Sequence, residues 1–126
     1  MDLARDQFEA LDLWRRVTVE TVRSDAPDLT SRQMAVLMIV ALQPGPHTVR
    51  GLAANLRVGK PAITRALDTL SALGFVQRRR DPKDGRNVLV DATVKGDQFL
   101  NRLGQSIVDG RETARAGFDL TAAQAA

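Results

Sequence analysis

Between Arg78 and Val90 the chain reads RRRDPKDGRNVLV. Three consecutive arginines run into a turn rich in Asp, Pro and Gly, and a β-branched stretch leaves it. Arginine keeps its charge and presents five donors in a fixed fork, a geometry matched to phosphate. Asp-Pro opens the turn and Asp-Gly supplies a position that tolerates positive φ. A charge run by itself is often only a solvated face, so the residues just upstream carry the decision. There, GKPAITRALDTLSALG puts Lys60, Pro61, Ala62, Thr64 and Arg65 at the start of a helix. Ile63, Ala66, Leu67, Leu70 and Leu73 form its inner face. The outward side is small, polar and basic, and so can enter a major groove without a clash. Arg65 can reach guanine O6 and N7 as a bidentate pair, or a phosphate. Thr64 offers a hydroxyl to phosphate or a methyl to thymine. Lys60 and the helix N-terminus both favour a backbone phosphate.

A helix of this kind followed at once by a cationic hairpin predicts a winged helix-turn-helix. FVQRRR and NVLVDA read as the two strands of the wing, joined by DPKDG. On a regular strand Arg78, Arg79 and Arg80 alternate sides. They cannot all face DNA, so some serve phosphates and others pair with acids such as Asp81 or Asp84. Arg79, Arg80 and Lys83 are assigned to the DNA side. Arg86, just past the tip, suits insertion into a narrow, A·T-rich minor groove. Asp84, two residues away, would orient it.

The charge distribution agrees with a polyanionic partner. The 126 residues carry a formal net charge of only +3. Residues 1–30, however, hold four basic and seven acidic side chains, whereas residues 57–86 hold eight basic and three acidic. A local basic block is the footprint expected of a nucleic-acid binder. Cysteine is absent, which rules out disulfides, thiolate zinc sites and thiol redox sensing within the chain. With one histidine and no cluster of His, Asp and Glu in the sequence, no metal and no cofactor are expected. Gly59-Lys60 is no phosphate loop, because Pro61 stands where Ser or Thr is needed and the upstream glycine is missing. His47 sits in a loop between Pro46 and Thr48 and reads first as a turn residue, with ligand sensing as the sharper alternative. No enzymatic activity is expected. No strand carries the aromatic platform of a single-strand binder. No apolar run reaches 18 residues, and MDLARDQFEA does not resemble a signal peptide. The expectation is a cytoplasmic protein with no membrane contact.

The elements that must position these residues are legible in outline. The fold class is mainly α with a small β-hairpin wing. Residues 4–24 predict a helix with Leu11, Trp14 and Thr18 on one side, extended by Phe8 and Val22. Pro27 interrupts the chain. Thr30 and Gln33 have the spacing of a capping box, with Leu29 and Met34 as a staple. They open MAVLMIVAL, which is apolar nearly all round and therefore central. QPGPH ends it. A short helix from about Val49 to Leu56 with Thr48 as its cap precedes the helix that starts at Pro61 and stops at Gly74. The helix-turn-helix spans about 48–74 and the wing about 75–92. Thr93 caps a long helix over about 94–118, marked by Leu100, Leu103, Ile107, Ala114 and Phe118. That helix exceeds the width of so small a domain, so part of its apolar side lacks an intrachain partner. The terminal helices 4–24 and 94–118 are assigned to dimerisation. Trp14, Leu11, His47 and Phe118 are candidate ligand or dimer contacts.

The run LAANLRVGKPAITRALDTLSALGFVQRRRDPKDGRNVLVDATVKG resembles the MarR family of winged-helix transcriptional regulators. The motifs that carry the likeness are Thr64-Arg65, Leu70-x-x-x-Gly74, Asp84-x-Arg86 and Thr93-x-x-Gly96. Leu29-Thr30-x-x-Gln33 extends it toward the N-terminus, so that it covers about 6–118. The resemblance implies a homodimer on a pseudo-palindromic operator in double-stranded DNA, acting as a repressor. It places Lys60, Ala62, Thr64 and Arg65 near the major groove and Arg86 in the minor groove, and implies relief of repression by a small aromatic or phenolic effector. The family has a further C-terminal helix, and FDLTAAQAA reads here as its cap and first turn, with Leu120, Thr121 and Gln124 fitting a helix start. A second functional class, an interaction module that antagonises a partner regulator without binding DNA, also fits a winged helix.

Overall fold

Thr30 begins the central helix as its sequence requires. Its hydroxyl accepts from the Gln33 N–H at 3.2 Å, and the Gln33 side chain accepts from the Thr30 N–H at 2.9 Å. Two otherwise orphaned donors are thereby satisfied. The computed structural model describes the backbone of residues 3–125; the side chains of Ala114, Arg115 and 117–125 lie outside the described residues, and with them the proposed role of Phe118. Two units divide the chain: Leu29–Leu100, and Met1–Asp28 with Asn101–Ala126.

The Leu29–Leu100 unit holds α2 (Ser31–Leu42), β1 (His47–Thr48), α3 (Val49–Leu56), α4 (Lys60–Ala72), β2 (Val76–Arg80), β3 (Val88–Ala92) and the start of α5 (Val94–Ala125). Val36 and Leu37 of α2 are fully buried. They meet Ile63, Leu67 and Leu70 of α4, Leu52 of α3, and Val76 and Val90 of the sheet in one aliphatic core. Among the described residues no polar or charged residue is buried, so the interior is held by hydrocarbon packing alone. Phe75 stacks on Phe99 at 4.7 Å, which seats the first turns of α5. Thr48 caps α3 by accepting from the Gly51 N–H at 2.9 Å.

The sheet departs from the expected two-stranded hairpin. It has three strands in the order β1-β3-β2, all antiparallel, with His47 opposite Val90 and Thr48 opposite Leu89. A two-residue strand leaves no periodicity in sequence, and its pairing follows from where α2 and α3 put it. The register of β2 with β3, Arg78 opposite Val90 and Arg80 opposite Val88, matches the expected wing.

In the other unit, α1 (Arg5–Arg23) packs against the later part of α5. Val17 is buried, and a Cβ placed on Gly110 of α5 would lie 3.0 Å from Leu13 Cδ1 and 3.8 Å from Val17 Cγ2. The apolar side of α1 read from the sequence, a candidate for ligand or dimer contacts, is not the side that packs within the chain. Leu11, Trp14 and Val22 are 53%, 62% and 71% exposed. Leu13 and Val17 lie roughly 160° and 120° around the helix from Leu11, in the middle of that stripe, at about 100° per residue. The intrachain contact takes their side and leaves the other bare. A correction concerns FDLTAAQAA. No new helix starts there: α5 is continuous from Val94 to Ala125. Neither Asp119 nor Thr121 halts a helix that contains no proline. Among the described residues no helix is long and apolar enough to cross a membrane.

Candidate nucleic-acid interface

α4 is amphipathic in the sense its sequence requires. Ile63, Ala66, Leu67 and Leu70 are buried, while Lys60, Pro61, Thr64, Arg65 and Asp68 are exposed and Ala62 is half-buried. Gly59 precedes the helix without a side-chain cap, and the N–H groups of Ala62 and Ile63 turn back to its carbonyl. Arg65 and Lys60 have no acidic partner among the described residues. Their charges remain available to an external anion.

The wing is attached to this exposed side by an ion pair. Arg78 Nη1 lies 2.8 Å from Asp68 Oδ1. Asp68 follows Thr64 by four residues and Arg65 by three, so all three share one helix side. Arg78 therefore ties β2 to the side of α4 that carries Arg65. The anticipated alternation of the three arginines is observed, but with partners other than Asp81 and Asp84. Arg78 pairs with Asp68. Arg79, on the opposite sheet face, donates to Asp91 across the strands at 2.8 Å. Arg80 reaches the Gly85 carbonyl at 3.4 Å.

The tip is built by its own acids. Asp81 Oδ1 accepts from the Lys83 N–H at 2.9 Å, and Asp84 Oδ1 accepts from the Arg86 N–H at 3.1 Å. The Asp84 carboxylate also receives the Arg86 side chain, with Nε at 3.1 Å and Nη2 at 3.2 Å. This fork-to-carboxylate pairing aims a guanidinium that is 87% exposed. The hydrogen bond from the Arg86 side chain, then that from its backbone, hold the Asp84 carboxyl below its ordinary value of 3.8, with a smaller lowering from Arg50. Asp84 and Arg86, two residues apart, are thus hydrogen-bonded to each other through both backbone and side chain.

Arg50 is a residue that sequence reasoning missed. It stands in the first turn of α3, directly after the strand β1 that pairs with β3. Its charge adds the smallest of the effects that lower the Asp84 carboxyl. The pairing of Asp68 with Arg78 is likewise not legible in the sequence, because the two meet through tertiary structure.

The remaining candidates separate. His47, expected in a loop, lies instead in β1, and its Nε2–H donates to the carbonyl of Gln43, which follows α2, at 2.9 Å. Trp14 and Leu11 lie on the exposed side of α1.

Residues 28–87 match the family model described as MarR family. A helix-turn-helix-type transcriptional regulator of Mycobacterium leprae is 33% identical over 78 residues, covering 62% of this chain and 54% of that protein. Transcriptional regulator HosA of Escherichia coli O111:H- is 33% identical over 76 residues, covering 60% and 56%. This chain therefore spans about half the length of the curated relatives it matches. Among solved structures, a mutant of MarR from Escherichia coli complexed with operator DNA aligns with a TM-score of 0.62 at 26% identity, covering 88% of this chain and 74% of that one.

Proposed function

We propose, from the match of residues 28–87 to the MarR family model, that the chain is a regulator of that type: a sequence-specific, double-stranded-DNA-binding transcriptional repressor. The carrying observation is the Asp68–Arg78 bridge, which joins the wing to the side of α4 that bears Arg65, with Arg86 held ready by Asp84. In this reading α4 lies in the major groove. Arg65 reads a base edge or clamps a phosphate, and Thr64 and Lys60 meet the backbone. Arg86 enters the adjacent minor groove, where a narrow A·T-rich segment concentrates negative potential. Lys83 and Arg80 contribute phosphate contacts beside it.

A homodimer formed by the terminal helices would set two copies of α4 about one helical turn apart, roughly 34–36 Å, on a pseudo-palindromic operator. Bound protein would occlude the promoter. A small aromatic effector would act by changing the separation of the two α4 helices. The exposed Leu11, Trp14 and Val22 side of α1 supports assembly with a second copy.

The test is a binding titration on duplexes enriched by the wild-type protein from a random-sequence pool. Arg86→Ala and Arg65→Ala should each weaken binding about tenfold or more, as expected for loss of a guanidinium at a groove. Enrichment of no duplex would reject the reading and favour the protein-antagonist alternative.

A further inference from the structure

Arg57 closes α3 in a conformation that arginine rarely adopts. Its φ and ψ are 56° and 44°, in the left-handed region, and it is the only non-glycine residue with positive φ among those described. The turn is of the Schellman type. The Val58 N–H donates to the Ala53 carbonyl at 3.1 Å, and the Arg57 N–H to Ala54 at 3.3 Å. The position between them is the one glycine usually fills, because a Cβ there crowds the backbone. Val58 packs against the core, and Arg57 is exposed. Its guanidinium makes no hydrogen bond or ion pair with the described residues. The fold thus carries a cation, without an internal partner, where glycine would be the less strained residue.

Its place in the motif says what such a cation can meet. In a helix-turn-helix the first helix crosses the DNA backbone, while the N-terminal residues of the second reach the bases. Arg57 ends the first helix and stands three residues before Lys60, the first residue of the second. Resting on the DNA-binding reading above, we propose that Arg57 is a phosphate anchor, which together with Lys60 clamps the duplex backbone at the helix-turn-helix turn. The contact carries no sequence information. It adds one neutralised phosphate to the binding and sets the register of α4 in the groove.

The experiment uses the full chain and a mixed-sequence duplex of roughly 30 base pairs, with anisotropy titrations over a salt series and a thermal melt of each variant without DNA. Arg57→Gln keeps the backbone strain and removes the charge. It should raise Kd about three- to tenfold and reduce the magnitude of the log–log salt slope by about 0.9. Arg57→Lys should retain the wild-type slope. Arg57→Gly should lose affinity like Arg57→Gln yet melt higher, by roughly 3–6 °C, a pairing of signs that a purely structural residue would not produce. Unchanged Kd and slope in Arg57→Gln, with Arg65→Ala weakened, would overturn the anchor and leave the regulator reading standing. A wild-type protein that binds no duplex even at low salt would reject the regulator reading, and the anchor with it.

Discussion

Arg79 and Arg86 show how one residue type takes different tasks in one hairpin. Both were assigned to DNA from the sequence. Arg79 is spent on Asp91 across the strands, whereas the Asp84 carboxylate that holds Arg86 leaves its guanidinium largely in solvent. Arg79→Ala should therefore weaken duplex binding less than Arg86→Ala, in the same titration, by about threefold or more between the two. Asp84 yields a pH prediction. Its folded value is depressed below 3.8 by Arg86, so its contribution to the order of the tip is complete above that value and is lost as pH falls through the lower, folded one. Carboxyl-carbon NMR should show Asp84 titrating below an ordinary aspartate in the wild type and returning toward 3.8 in Arg86→Ala. A wing whose tip signals change between pH 5 and 8 would contradict the pairing, since the Asp84 carboxyl, held below 3.8, is already ionised there.

At the level of elements, the junction of α4, the wing and α5 turns on one threonine and two glycines. Gly74 ends α4 with φ 79°. The Thr93 hydroxyl donates to the Gly74 carbonyl at 2.5 Å and accepts from the Gly96 N–H at 3.0 Å. A Cβ on Gly96 would collide with the Phe75 carbonyl. The motifs Leu-x-x-x-Gly and Thr-x-x-Gly thereby acquire a physical meaning: Gly74 supplies the positive φ that ends α4, and Gly96 lets the start of α5 lie against the Phe75 carbonyl. Gly96→Ala should destabilise the protein by roughly 1–3 kcal/mol, as overpacking against backbone does, read as a lowered denaturation midpoint. An unchanged midpoint would mean that α5 can slide off this contact. Thr30→Ala should cost about 1 kcal/mol through the lost cap. Caps and glycine stops were legible in the sequence because each is decided within four or five residues. β1 was not, because two residues make a strand only when a distant strand offers them a ladder.

For the whole molecule, assembly and charge are the measurable properties. Trp14 is the only tryptophan and is 62% exposed. Dimerisation through the terminal helices should bury it, so its emission should shift to the blue as protein concentration rises through the dimer constant. An emission maximum independent of concentration, in a protein that sediments as a dimer, would place the interface elsewhere. Duplex binding should weaken steeply with salt, with a log–log slope of several units in magnitude, each phosphate contact contributing about 0.9. A flat response would point to a protein partner.

The sequence alone was sufficient for the order of helices, the aliphatic core, the wing and the basic outward side of α4. All of these are written in short-range spacing and in the need to hide hydrocarbon from water. Tertiary structure alone decided which acid each arginine takes, that His47 and Thr48 form a third strand, and which of two apolar lines on α1 is covered. Such choices depend on distances between segments far apart in the chain, and local periodicity contains no record of them. Trp14 was legible as part of an apolar stripe, but whether that stripe faces the chain's own interior could be read only from where Gly110 lets α1 approach α5.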